Sequence, residues 1–314
     1  MSDKTLFILG GTGFIGREVV REALEGGWTV KGLTRSPQSS AALSQAGATP
    51  VQLPVEDEGW AEELAGADAL IDLVQPAFPK RLTERAVARI SSERQGITRS
   101  VLAVLESLPS EQRPLLFFVS GVDELQPDRQ GTIDERSPLI AQPEGLARIG
   151  IPVRGLIEQS GRDATYVYFG AMVYGPGKIF RDVIVEGLKK RRTPIIGDGS
   201  NRLPLTYVTD AARALVHLAG LPRSDVAGRT FIATDGANQT QRELLEHTAQ
   251  LMGAKKPLSI PAAVARLAAG SAAAGAMTLD VKAEPAALVA TGFSVRYPSY
   301  REGVPELLAQ LNAG

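Results

Sequence analysis

The chain has 314 residues and a mass of 33.3 kDa, which suits two lobes better than one compact domain. Apolar residues make up 44% and charged residues 22% of it, the balance of a folded protein with a sizeable core. The 34 basic and 35 acidic side chains give a net charge of −1, which argues against a general binder of nucleic acids or anionic membranes. The lack of cysteine excludes disulfides, cysteine–zinc sites and thiol catalysis.

The first half of the chain alternates short apolar runs with amphipathic helical stretches. The runs predict strands at Leu6–Leu9, Thr29–Leu33, Thr49–Leu53, Ala69–Val74, Leu115–Ser120 and Thr165–Phe169. The stretches between them predict helices at Gly13–Gly26, Trp60–Leu64, Leu82–Leu108 and Val153–Ser160. Near-continuous apolar strands alternating with helices are typical of a parallel sheet covered on both faces. The predicted fold class is therefore α/β, a Rossmann-type doubly wound sheet with a smaller C-terminal substrate lobe.

After Phe169 the periodicity becomes irregular. Further helices are predicted at Ile179–Arg191, Arg242–Met252 and Pro261–Ala276, and Leu205–Leu221 is expected to return to the first domain. Residues 1–170 and about 203–235 are thus predicted to form an NAD(P)-binding domain. Residues of about 171–202 and 236–314 are predicted to form the substrate lobe. With no leader pattern and no span long enough for a bilayer, we expect a soluble, cytoplasmic protein.

A glycine-rich turn lies between the first predicted strand and the first predicted helix. It consists of Gly10, Gly11, Thr12, Gly13, Phe14, Ile15 and Gly16. The glycines permit a tight turn and a close approach of the backbone to a pyrophosphate, which the helix N-terminus then faces. This turn predicts a dinucleotide site rather than a merely flexible connection.

The end of the second predicted strand indicates which dinucleotide is bound. An NAD site places a carboxylate there for the ribose hydroxyls, but this chain has Arg35 and Ser36, with no Asp or Glu from residue 27 to 55. The Arg35 guanidinium can pair with a 2′-phosphate, so NADPH is preferred over NADH. The alternative is that Arg35 is a solvated surface charge.

Several segments resemble the extended short-chain dehydrogenase/reductases, the superfamily of NAD(P)-dependent epimerases, dehydratases and reductases. The similarity lies in the glycine turn, in Phe117–Ser120, in Val173–Gly177 (VYGPG) and in Tyr207–Asp210. It implies that Val74, Phe169 and Met172 also contact the cofactor.

The catalytic Ser/Thr, Tyr and Lys of that superfamily are missing. Its Y-x-x-x-K helix corresponds to about residues 150–160, where Gly150 takes the tyrosine place and Arg154 the lysine place, and Gly121 takes the Ser/Thr place. Tyr174 and Lys178 have the Y-x-x-x-K spacing, but the intervening Gly-Pro-Gly favours a turn instead of a helix.

The remaining candidates for chemistry are Ser120, Tyr168 and Arg154. Each has an ordinary structural alternative: Ser120 bonded to backbone, Tyr168 packed in the core, Arg154 exposed on a helix. Asp123 and Glu124 follow the fifth strand, and we expect them to be solvated loop carboxylates. No cluster has metal-ligand spacing.

Three functions remain open. The first is an atypical NADPH-dependent reductase of a small organic carbonyl or conjugated substrate, with a non-standard proton donor. The second is an NAD(P)-dependent epimerase, dehydratase or isomerase, and the third is a redox-silent NADPH-binding sensor or accessory protein. The expected partner is a small molecule, with no nucleic acid or membrane, and the chain is a monomer or a homodimer.

Overall fold

The computed structural model describes residues 4–79, 81–177, 179–269, 275 and 277–313. Its strands are β1 Thr5–Leu9, β2 Thr29–Thr34, β3 Thr49–Gln52, β4 Ala69–Asp72, β5 Leu115–Gly121, β6 Thr132–Ile133, β7 Ala164–Phe169, β8 Met172–Tyr174, β9 Ile195–Ile196, β10 Leu205–Tyr207, β11 Thr230–Ala233, β12 Ser259–Ile260 and β13 Lys282–Ala283. Its helices are α1 Gly16–Glu25, α2 Pro37–Ala46, α3 Ala61–Leu64, α4 Glu84–Ser107, α5 Ala147–Gln159, α6 Glu186–Lys189, α7 Val208–Gly220, α8 Arg223–Val226, α9 Gln241–Leu251, α10 Ala262–Ala269, α11 Ala286–Ala290 and α12 Tyr300–Ala313.

Seven of the described strands form one parallel sheet in the order β3-β2-β1-β4-β5-β7-β11. Every residue of β4 and β7 is buried, as expected for strands covered on both faces. Helices α1 and α7 pack on one face, and α4 and α5 pack on the other. The doubly wound α/β fold predicted from the sequence is confirmed.

A third apolar cluster lies outside this sheet. It joins the segment after β8 to α9 and α12 through buried side chains such as Phe180, Leu244 and Val304. Phe14 and Ile15 of the glycine turn pack against the same cluster. The turn is therefore held between the sheet and this third cluster.

Three predicted helices differ in detail from the structure. Helix α5 begins at Ala147, six residues before the predicted start, and includes Pro152. The predicted helix Ile179–Arg191 is a π-helical segment, Ile179–Val185, followed by α6. Helix α2 was not predicted at all. Of the predicted helix Pro261–Ala276, residues 270–274 and 276 lie outside the described residues. None of the described helices is long and apolar enough to span a membrane.

Candidate active site

The glycine turn brings backbone segments closer together than any side chain would allow. Gly10 has a φ of +78°, and a Cβ there would lie 2.9 Å from the carbonyl oxygen of Leu73. A Cβ on Gly16 would lie 2.1 Å from the Gly10 carbonyl oxygen, which also accepts a 2.9 Å hydrogen bond from the Gly13 amide. Only glycine fits at these two positions. The turn is thus a rigid structure packed against the end of β4.

The N-terminus of α1 is open to a ligand. Its N-cap residue, Ile15, has no side chain that could bond the first-turn amides. Thr12 and Gly13 are exposed, and Gly11 and Gly16 are buried beneath them. The Arg17 and Glu18 amides are bonded to the carbonyl oxygens of Gly13 and Ile15, so it is the positive end of the helix dipole at this exposed turn that favours an anion.

Arg35 lies directly after β2 and is exposed. No carboxylate of the described residues pairs with it. Ser36 is the N-cap of α2, where its hydroxyl oxygen accepts a 3.2 Å hydrogen bond from the Ser39 amide. The Arg35 guanidinium is therefore available to an anionic ligand, whereas the Ser36 hydroxyl is partly engaged in capping.

The other predicted cofactor residues lie around the carboxyl edge of the sheet. Val74 follows β4 and is half-buried, Phe169 ends β7 and is buried, and Met172 begins β8 and is half-buried. Gly121 and Phe169, the last residues of β5 and β7, are partners in the sheet, whereas β4 ends at Asp72 opposite Phe118. Sheets of this type bind ligands at this carboxyl edge. The VYGPG segment packs on the glycine turn, since a Cβ on Gly177 would lie 2.2 Å from the Phe14 ring.

Tyr174 and Lys178 do not form a helical pair. Tyr174 is the last residue of strand β8, and its ring is buried against Tyr207. Lys178 lies outside the described residues. The described part of this spacing, residues 174–177, is the end of a strand followed by a bend and is not helical.

A buried polar cluster consists of Ser120, Glu124, Arg154 and Tyr168. Ser120 and Glu124 are in direct contact within it. The Ser120 hydroxyl at the end of β5 is hydrogen-bonded to Glu124 Oε1. Glu124 is 1% exposed, so the expectation of a solvated loop carboxylate is wrong for this residue. A one-turn 3₁₀ helix, Val122–Glu124, folds the side chain back under the strand.

Burial raises the pKa of the Glu124 carboxyl to about 8. The nearby Asp123 charge also raises this pKa, while the hydrogen bond from Ser120, the Arg154 charge and the Tyr168 hydroxyl lower it. Oε2 of Glu124 has no hydrogen-bond partner of normal geometry among the described residues. A carboxyl in this position is mostly protonated at neutral pH.

Arg154 and Tyr168 are the other two members of the buried polar cluster. Arg154 Nη1 donates a 2.8 Å hydrogen bond to the Tyr168 hydroxyl, and its Nε donates one of 2.8 Å to Glu158. The guanidinium also stacks 4.3 Å from the centre of the Tyr166 ring. Tyr168 is fully buried, and burial raises its pKa. Arg154 is thus fixed beneath α5 and is not a free surface charge.

Gly150 leaves room for the Ser120 and Glu124 side chains beneath α5. A Cβ at this position would lie 1.6 Å from Glu124 Oε1 and 2.5 Å from Ser120 Oγ. The Glu124 carboxyl therefore occupies the space in which a tyrosine at position 150 would begin. Ser120, Arg154 and Tyr168 were all predicted from the sequence, whereas the part played by Glu124 depends on a packing contact between β5 and α5.

A cavity of about 660 Å³ lies between the loop after β5 and the start of α4; Asp123, the chain neighbour of Glu124, lines it, but no member of the polar cluster does. Its charged lining residues are Glu84, Asp123, Glu144 and Arg148. Arg148 pairs with Glu84, and burial raises the pKa of Asp123. Acidic groups predominate in this lining. No acidic or histidine cluster among the described residues could hold a metal ion.

Residues 6–233 match the sequence model of the NAD dependent epimerase/dehydratase family. An uncharacterised protein of Schizosaccharomyces pombe is 28% identical over 227 residues, which cover 67% of this chain and 69% of that protein. The 4-hydroxy-2-methyl-3-oxo-4-farnesyl-3,4-dihydroquinoline-1-oxide ketoreductase of Stigmatella aurantiaca is 24% identical over 84% of this chain and 78% of its own. The crystal structure of human epimerase family protein SDR39U1 with NADPH superposes with a TM-score of 0.79 at 21% identity, covering 98% of this chain and 100% of that one.

Proposed function

The chain belongs to the NAD-dependent epimerase/dehydratase family, and from that premise we propose that it is an atypical NADPH-dependent reductase of a small organic carbonyl or conjugated substrate. The observation that carries the proposal is the intact dinucleotide turn followed by an unpaired Arg35, where an NAD site would place a carboxylate. Two similarities support it: one relative is named a ketoreductase, and one structural neighbour was solved with NADPH.

The residues of the site fit this cofactor. The close packing at Gly10 and Gly16, beside the uncapped start of α1, makes a cradle for a diphosphate. Arg35 would hold the 2′-phosphate, and Val74, Phe169 and Met172 would contact the rest of the cofactor at the sheet edge. NADPH, when bound, supplies a hydride to an electrophilic carbon.

The acidic lining of the 660 Å³ cavity favours a substrate without negative charge. Glu144 has no ion-pair partner within the described ranges. Because the basic lining residue, Arg148, is already paired with Glu84, Glu144 would repel the diphosphate of a sugar nucleotide. A neutral aldehyde, ketone or enone meets no such repulsion. The lining therefore favours reduction of a small neutral carbonyl over sugar-nucleotide epimerisation.

The redox-silent sensor is the second candidate, and a specific observation favours it. Gly121, Gly150 and Arg154 stand where the superfamily has its catalytic triad. A protein that kept only cofactor binding would show this loss. It predicts NADPH binding without turnover.

The test is a substrate screen followed through the absorbance of NADPH. Purified protein is incubated with NADPH and a panel of small neutral aldehydes, ketones and enones, and in parallel with sugar nucleotides. The proposal expects NADPH oxidation with at least one neutral carbonyl and no conversion of the sugar nucleotides. Tight NADPH binding without turnover on the whole panel would favour the sensor, and conversion of a sugar nucleotide would favour the epimerase.

A further inference from the structure

We infer that the Glu124 carboxyl and the Ser120 hydroxyl form the proton-delivery pair of this site, in place of the helix tyrosine of the superfamily; the inference rests on the proposed reductase function. It is carried by the position of the two groups. They are hydrogen-bonded to each other under the Gly150 backbone, at the carboxyl edge of the sheet.

The two groups differ in their access to solvent. Glu124 is 1% exposed, whereas Ser120 is partly exposed. Ser120 is therefore the member that can touch a substrate oxygen, and Glu124 is the member that supplies its proton from the interior. A hydroxyl both donates and accepts hydrogen bonds, so Ser120 can pass a proton on in a single concerted step.

Burial, rather than the charged and titratable groups around Glu124, is the main cause that keeps its carboxyl protonated. Asp123 on the same 3₁₀ turn raises its pKa, while Arg154 on α5 and Tyr168 on β7 lower it. Arg154 is already bonded to Tyr168 and Glu158, so it does not pair directly with Glu124. With a pKa of about 8, the carboxyl suits a general acid at neutral pH.

The proposed step takes its hydride from NADPH, which is oxidised to NADP⁺ as the carbonyl is reduced. As the carbonyl carbon of the substrate accepts a hydride, its oxygen takes the proton of the Ser120 hydroxyl. The Ser120 oxygen at the same time takes the proton of the Glu124 carboxyl, which is left as a carboxylate and regains a proton from solvent. The C=O π bond is replaced by one C–H and one O–H bond.

Glu124→Gln tests the pair, because the amide keeps the size of the side chain and loses the acidic proton. With NADPH and a carbonyl that the wild type reduces, we expect kcat to fall about 100-fold or more while the Kd for NADPH changes little. The wild-type kcat should decline as pH rises through about 8, and the variant should lose that decline. Glu111→Gln, at an exposed glutamate, is the matched control.

A second readout needs neither substrate nor cofactor. Carbon NMR of glutamate side chains should show one carboxyl that titrates near pH 8 in the wild type and is absent from Glu124→Gln. Ser120→Ala should raise the pKa of the Glu124 carboxyl further, because the hydrogen bond from Ser120 lowers that pKa. If no glutamate carboxyl titrates above the usual pH range, the inference is overturned.

The outcomes separate the inference from the proposed function. If the wild type oxidises NADPH with a carbonyl and Glu124→Gln does so equally well with the same pH profile, the proton pair is wrong and the reductase stands. If the wild type reduces nothing, the reductase and the pair fall together.

Discussion

At the residue scale, the main finding is that the Glu124 carboxyl occupies the space that a side chain at position 150 would need. In the superfamily pattern the helix carries the acid, whereas here Gly150 leaves the helix face bare and the Glu124 carboxyl fills it. A Cβ clash at 1.6 Å cannot be relieved without moving a buried carboxyl. The local structure therefore depends on the absence of one side chain.

Gly150→Ala should destabilise the protein by about 1–3 kcal/mol, because it overpacks the Ser120–Glu124 contact. Gly155→Ala is the control on the same helix. A Cβ at position 155 meets no atom within 4 Å, so we expect a gain of up to about 1 kcal/mol from helix propensity. Urea denaturation measures both, and equal effects of the two substitutions would contradict the assigned packing.

The sequence could predict Ser120 and Arg154 as candidates from their places in the superfamily pattern, and Tyr168 from its place on the predicted strand, two residues from Tyr166 and on the same face. It could not predict the burial of Glu124. That burial depends on how the 3₁₀ turn after β5 folds against α5, which no periodicity records. A charged residue directly after a strand is ordinarily solvated, and this one is covered only because position 150 has no side chain.

At the element scale, the elements with a clear apolar periodicity were predicted correctly, and helices without it were missed or misplaced. The strand, glycine turn and helix at the start were predictable because apolar periodicity and turn chemistry agree. Helix α2 was missed, although Ser36 and Pro37 form an N-cap with proline at the first helical position and Gly47 ends the helix in a left-handed conformation. Helix α5 begins six residues before its predicted start and includes Pro152, a residue type that usually ends or kinks a helix.

A buried ion pair holds α4 against the end of β4, beside the predicted cofactor residue Val74. Arg94 donates a 2.7 Å hydrogen bond to Asp72 and one of 3.0 Å to Thr98, and Arg94 and Asp72 are each 5% exposed. Asp72 also accepts a 3.1 Å bond from the Val74 amide. The pair thus connects the helix layer to the cofactor edge of the sheet.

Arg94→Ala should cost about 3–5 kcal/mol in the free energy of unfolding, because it leaves the Asp72 charge buried and unpaired. Arg89→Ala removes an exposed pair with Glu93 on the same helix and should cost less than about 1 kcal/mol. Chemical denaturation of both variants is the check. Similar losses of stability in the two variants would show that the burial of Asp72 does not require its ion pair with Arg94.

At the scale of the whole molecule, the fold brings the cofactor turn, the polar cluster and the acidic cavity to one side of the sheet. The C-terminal segment is tied to the first domain through Asp210, which accepts hydrogen bonds from the Arg296 and Tyr297 amides at 2.8 and 2.9 Å. The predicted division into an NAD(P)-binding domain and a substrate lobe remains a prediction. The raised pKa of Glu124 in the polar cluster also makes the free energy of unfolding depend on pH.

The stability of the molecule should fall as pH rises from about 4.5 to about 8. The Glu124 carboxyl has a raised pKa in the folded state, so between its usual value of 4.5 and about 8 the folded state binds more protons than the unfolded state. The contribution is complete below pH 4.5 and is lost as pH rises through the folded pKa. Its size is on the order of a few kcal/mol.

Thermal unfolding across this pH range, compared between wild type and Glu124→Gln, measures the effect. The wild type should lose stability relative to the variant as pH rises. Parallel curves would show that the carboxyl is not held in its protonated form.

The central claim is that the turn and Arg35 bind NADPH through its 2′-phosphate, and nucleotide titration tests it most directly. Binding of NADPH and NADH is measured by nucleotide fluorescence on wild type, Arg35→Ala and the control Arg129→Ala, at an exposed loop arginine. We expect wild type to prefer NADPH and Arg35→Ala to weaken NADPH binding about 10- to 100-fold, with NADH binding and the control unchanged. Equal binding of the two nucleotides by the wild type, or binding of neither, would contradict the account.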